Sequence, residues 1–143
     1  MTRIPVFLVA TIVGATVLSG CGGGNAYCDA VEKDKASLNA FGEKRTDAAY
    51  ANYAKVFDGV AKVAPKAIKK DWKALADVTK GVIAAQKAVD LKLEQMTDTA
   101  KVKKLTDAQL KQLNSAYEAF NKTTEERTAV VKNVKQECKI QLK

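Results

Sequence analysis

Residues 66–89, KAIKKDWKALADVTKGVIAAQKAV, decide the fold. Ile68, Trp72, Leu75, Thr79, Val82, Gln86 and Val89 follow one another at spacings of four and three. On a helix with 3.6 residues per turn these positions share one face. The spacing predicts a long helix with a buried seam, the longest in the chain. Thr79 and Gln86 put polar groups on that seam, so they lie either at its edge or in a satisfied polar contact.

Working outward, Pro65 ends the preceding helix or sits in the first turn of this one, where its missing N–H costs nothing. The preceding helix starts at Thr46-Asp47, a side-chain cap followed by an acid. It carries Tyr50, Tyr53, Phe57, Val60 and Ala64 on one face. Further upstream, Tyr27, Val31, Leu38 and Phe41 stripe a helix from Ala26 to about Gly42, with Cys28 at the edge and Gly42 as C-cap. Downstream the pattern weakens. Leu91, Leu93 and Met96 do not extend the seam and Thr97-Asp98-Thr99 reads as a break, so residues 90–105 are expected to be a frayed helix end plus a loop. Thr106-Asp107-Ala108-Gln109 then fits a capping box, with Leu105 and Leu110 as its hydrophobic staple. Leu110, Leu113, Tyr117 and Phe120 form a buried face, and Thr124, Arg127, Val131, Val134 and Cys138 continue the same alternation. One unbroken helix would satisfy that pattern, but the cap-rich passage Asn121–Glu126 favours a kink or short break. An alanine- and lysine-rich chain supports helix throughout. The fold class is therefore all-α: an antiparallel bundle of four or five helices over residues 26–143.

The N-terminus is of another kind. Arg3 is the only charge before Cys21, and an apolar run of about fifteen residues extends from Ile4 to Leu18. A bilayer-spanning helix needs roughly twenty apolar residues. Leu18-Ser19-Gly20-Cys21 resembles the lipobox of bacterial lipoproteins: an aliphatic residue, two small ones, then cysteine. The resemblance implies a signal peptide over residues 1–20 cleaved after Gly20, a diacylglyceryl thioether on Cys21, and a lipid-anchored, extracytoplasmic location. The alternative is an ordinary signal peptide or a short uncleaved anchor. Residues 21–25 would be the lipidated cysteine and a glycine-rich tether, flexible enough to hold the domain clear of the headgroups. Two acyl chains anchor stably where one does not. Cleavage would leave 123 of the 143 residues, one ordinary domain, and lower the net charge from +8 to +7 by removing Arg3.

If Cys21 carries lipid, Cys28 and Cys138 remain as one pair near the two ends of the domain. An extracytoplasmic setting permits disulfides, so a Cys28–Cys138 bond is expected. It would close a loop that the chain-entropy model values at roughly 4–5 kcal/mol. The alternative is two free buried thiols. Two thiolates in a chain without histidine do not complete a zinc shell. The bond also requires the first helix to start where the last one ends, which an even number of long passes achieves most simply.

Together, the lipobox, Ala26-Tyr27-Cys28-Asp29, the passage from Ala64-Pro65 to Asp71-Trp72, and Glu137-Cys138 with Ile140 after one intervening residue resemble small helical lipoproteins associated with actinobacteria, mostly without an assigned function. In that pattern glycine usually follows the last cysteine, whereas this chain has Lys139, which puts the helix C-cap in question. The resemblance implies a fold and an address and brings no activity, cofactor or functional residues.

The residues argue against catalysis. Without histidine the usual neutral-pH base is absent. Asp29, Asp34, Asp58, Asp71, Asp77 and Glu125-Glu126 sit among lysines on expected solvated faces. No phosphate-binding loop, nucleophile elbow or metal-ligand spacing is present, and Gly22-Gly23-Gly24 follows no strand. No cofactor and no metal are implied. The aromatics Tyr27, Tyr50, Tyr53, Phe57, Trp72, Tyr117 and Phe120 lie on the apolar stripes, as core packing requires. An internal pocket for an apolar ligand is the other use they would serve. Asn121-Lys122-Thr123 matches a glycosylation sequon, which the bacterial lipobox discounts.

The basic balance has functional content. Lys66, Lys69, Lys70 and Lys73 line one face at the start of the long helix, and Lys101, Lys103 and Lys104 form a second cluster. Cations at a helix N-terminus oppose its dipole, so helix stability does not explain the first cluster. Such a face either solubilises the domain or meets anionic headgroups or an anionic envelope polymer through salt-sensitive contacts. A nucleic-acid partner does not fit the expected address. The sequence thus points to a membrane-anchored, non-enzymatic binding module of the cell envelope, with a carrier or sensor of a small apolar ligand as the alternative.

Overall fold

The first helix, α1 (Ala26–Asn39), starts where Asn25 accepts the Tyr27 N–H on its side chain at 3.1 Å. The computed structural model describes residues 25–143, so the expected signal peptide 1–20, Cys21 and the expected tether before Asn25 lie outside the described residues. α1 stops three residues before Gly42. That glycine takes φ +85° in the turn that follows, beyond the C-cap Ala40. α2 (Asp47–Val63) is capped by Thr46, whose hydroxyl accepts the Ala49 N–H. Ala64 closes α2 and Pro65 is the N-cap of α3 (Lys66–Ala88), so proline separates the two helices.

At 23 residues α3 is the longest helix, and all seven seam positions from Ile68 to Val89 are buried. Each of its polar members makes one hydrogen bond. The Thr79 hydroxyl donates to Leu75 O, and Gln86 Nε2 donates to the Tyr117 hydroxyl at 2.6 Å, leaving Gln86 Oε1 without a partner.

Residues 90–105 are more ordered than the sequence predicts. A 3-10 turn (Leu93–Gln95) and a one-turn helix α4 (Thr99–Val102) replace the expected frayed end and loop, with Asp98 as the α4 N-cap. The reason lies outside the segment: Leu93 N–H donates to Asp47 Oδ1 at 2.9 Å, and Asp47 N–H donates to Glu94 Oε2 at 3.1 Å. This reciprocal clip docks the turn on the N-terminus of α2, where a carboxylate is favourable.

α5 (Asp107–Asn121) begins with the predicted capping box, Thr106 and Gln109 each accepting the other's backbone N–H. Lys122 and Thr123 interrupt the chain before α6 (Thr124–Cys138), which is the expected short break. The break resets the helical phase, so α6 buries Val130 and Val134 while Val131 is only half-buried.

α5 packs on the C-terminal half of α3, where Leu113 meets Ala85 and Val89. α6 packs on the N-terminal half, where Tyr27 links Trp72 to Asn133: Trp72 Nε1 donates to Tyr27 Oη at 3.1 Å, and Tyr27 O–H donates to Asn133 Oδ1 at 2.8 Å. Among the described residues five long helices thus make four antiparallel passes, with α5 and α6 sharing the last. Cys28 and Cys138 meet with Cα atoms 5.2 Å apart and form the disulfide.

Lys139 takes the left-handed conformation, φ +58°, in the cap position that glycine favours. It turns the chain back over the bundle. Ile140 and Leu142 are buried, and Lys143 N–H donates to Asn39 Oδ1 at 2.9 Å.

Candidate functional site

The pass order sets which termini share an end. The start of α1, the end of α2, the start of α3 and the end of α6 all lie at the disulfide end. The four lysines singled out by spacing project there, and all are exposed. Lys69 Nζ donates to Lys62 O at 3.3 Å, in the last turn of α2. A cation there answers the negative end of the α2 dipole, which partly explains a charge misplaced on α3. Lys73 pairs with Asp77 at 3.6 Å. Lys66 and Lys70 have no carboxylate within 4.0 Å among the described residues. α3 has neither a side-chain cap nor an acid in its first turn, so their charges stand unopposed. Val63, 43% exposed, and Lys139 belong to the same end.

Lys101, Lys103 and Lys104 are exposed at the opposite end, so the two basic clusters do not form one surface. Of the carboxylates, Asp58 is held low first by the Lys80 hydrogen bond (3.2 Å) and then by Lys62. Glu126 is half-buried and leaves Oε2 without a partner, against the expectation of a solvated face. Among the described residues no three cysteine or acidic side chains converge as a metal site, and no helix is long and apolar enough to cross a membrane.

A second arrangement centres on Arg127, which sequence reasoning placed on the α6 stripe but gave no role. A cation on an apolar stripe was the available signal. The guanidinium lies over the rings of Phe120 (4.7 Å) and Phe41 (5.1 Å). Nε donates to Thr123 Oγ1 at 3.1 Å and Nη2 donates to Phe120 O at 2.9 Å. Burial lowers its pKa, against the influence of Tyr50, yet a guanidinium stays charged at neutral pH. Burial raises the pKa of the Tyr27, Tyr50 and Tyr117 hydroxyls, which stay protonated. Beside Arg127 a cavity of about 230 Å³ is lined by Leu38, Phe41, Phe57, Leu75, Val130, Val131, Leu142 and Lys143. The aromatics are mostly core, as the stripes predict, but Phe41 and Phe57 also wall this space.

A search against protein-family models, curated proteins and solved structures finds no match to the chain.

Proposed function

We propose that the chain is a lipid-anchored, extracytoplasmic and non-enzymatic interaction module of the bacterial cell envelope, whose basic end rests on an anionic surface. The observation that carries this reading is that Asn25, where the expected tether joins the bundle, lies at the same end as the lysines. Asn25 opens α1 at the end where Lys66, Lys69 and Lys70 project. Cys21 precedes Asn25 by four residues, a reach of at most about 14 Å. A lipid on Cys21 would therefore hold the lysines against the surface that anchors it. The Cys28–Cys138 disulfide fits an oxidising compartment, and the lipobox supplies the address.

The test is co-sedimentation of residues 22–143 with purified envelope fractions. The expected outcome is binding at low salt that is lost at high salt, and lost also when Lys66, Lys69, Lys70 and Lys73 are changed together to Glu. Absence of binding at both salts would return the lysines to a solubilising role. The anchor is tested separately in the full chain, where Cys21→Ala should abolish membrane retention.

A further inference from the structure

We infer that the cavity beside Arg127 is a binding site for a single-chain anionic amphiphile, with a short acyl tail in the cavity and a carboxylate on the guanidinium. The inference is independent of the anchor and of the basic end. Three observations carry it.

First, Arg127 is a half-buried cation with no carboxylate within 4.0 Å among the described residues. Buried charges are ordinarily paired, because desolvation disfavours them alone. The two aromatic faces and the two hydrogen bonds to Thr123 and Phe120 offset part of that cost. Those bonds occupy the Nε–Nη2 edge of the guanidinium. Its other edge, Nη1–Nη2, keeps two N–H donors in the parallel geometry that a carboxylate accepts bidentately.

Second, the space that Arg127 lines is mostly apolar and of useful size. Phe57, Leu75, Val130 and Leu142 line about 230 Å³, more than the roughly 150 Å³ cavity that takes up benzene. It suits a short hydrocarbon chain and offers little to a polar molecule.

Third, the positive charge continues outward. Arg127 and Val131 also line a groove along the outer face of α6 together with Lys132 and Lys135. The site is thus apolar inside and cationic at its mouth, the polarity of an amphiphile with a negative head. A neutral amphiphile would leave the guanidinium edge unpaired, and a cationic one would meet Arg127 and the lysines head on.

The probe is octanoate, titrated into disulfide-bonded residues 22–143 and followed by amide shifts in nuclear magnetic resonance. The expected result is saturable binding with shifts clustered at Val130, Val131 and Leu142. Octanol, with the same tail and a neutral head, should bind at least tenfold more weakly. Arg127→Met should weaken octanoate at least tenfold, and Arg127→Lys should restore part of that loss. Because Arg127 also bonds Phe120 O, Val131→Trp provides a second variant. It fills the half-buried mouth while keeping the Arg127 side chain and its bonds to Thr123 and Phe120, and should abolish binding in a folded protein. Absence of saturable shifts with octanoate would overturn the site. So would octanol binding as tightly as octanoate, or octanoate binding that survives Val131→Trp.

Discussion

At one end of the bundle four helix termini converge on the Cys28–Cys138 bond, and the core there is built from large side chains. Trp72, Tyr27 and Phe57 pack together, and the Trp72–Tyr27–Asn133 hydrogen bonds tie α3 to α1 and α6. At the other end a smaller cluster, Ala85, Val89, Leu91 and Leu113, holds α3 to α5 together with the Gln86–Tyr117 hydrogen bond, with Met96, Val102 and Leu105 around it. Among the described residues that end has no crosslink. It depends instead on two local caps, the Thr106–Gln109 capping box and the Asp98 cap, and on the long-range Asp47–Glu94 clip. Small apolar clusters under exposed backbone open first in native proteins. The contrast assigns global stability to the disulfide end and local opening to the segment 89–113.

The most severe way to break this comparison is to remove the crosslink. Reduction, or Cys138→Ser with Cys28→Ser, should lower the unfolding free energy by about 3–5 kcal/mol in urea titration. A loss below about 1 kcal/mol would mean that the aromatic core holds this end by itself.

A smaller effect should come from Leu113→Ala, about 2–4 kcal/mol for a buried leucine whose site collapses only partly. Its location sharpens the contrast more than its size. Amide hydrogen exchange should accelerate over residues 89–113 and stay unchanged around Trp72. Uniform acceleration would show a single cooperative unit.

The smallest effect concerns acid. Glu94 is held below its ordinary pKa, first by its own backbone N–H and then by that of Asp47. A depressed carboxyl contributes stability above its unfolded value, about 4.3, and loses it as pH falls through the folded value. The difference in urea midpoint between wild type and Glu94→Gln should therefore be present at pH 6 and shrink toward pH 3. A difference that is the same at both pH values would remove the clip from the account of the far end.

What was legible in the sequence follows the same division. The α3 seam, the Thr46 and Thr106 caps and the cysteine pair are written in spacings of three and four or in residue chemistry, and each is where its pattern predicts. By its pattern the segment 90–105 is only a frayed helix end plus a loop, because its order comes from Asp47, more than forty residues away, and leaves no local period. Val131 was placed on the buried stripe in place of Val130 because the break at Lys122–Thr123 resets a phase that had been counted through it. The lysine face was legible as a face, but the tie from Lys69 to the last turn of α2 was not. Arg127 was visible as a cation among apolar positions. Its neighbour Phe41 lies 86 residues earlier, so the cavity it borders had no signature in sequence.

The disulfide also fixes how the domain answers to force. Tension applied between Asn25 and Lys143 enters at Cys28 and leaves at Cys138, passing through the covalent bond and bypassing the 110-residue span between the two cysteines. Only residues 25–27 and 139–143 can be drawn out, roughly eight residues or about 28 Å of contour. The oxidised bundle is therefore a short, stiff link along the chain, and reduction turns the same chain into an extensible one.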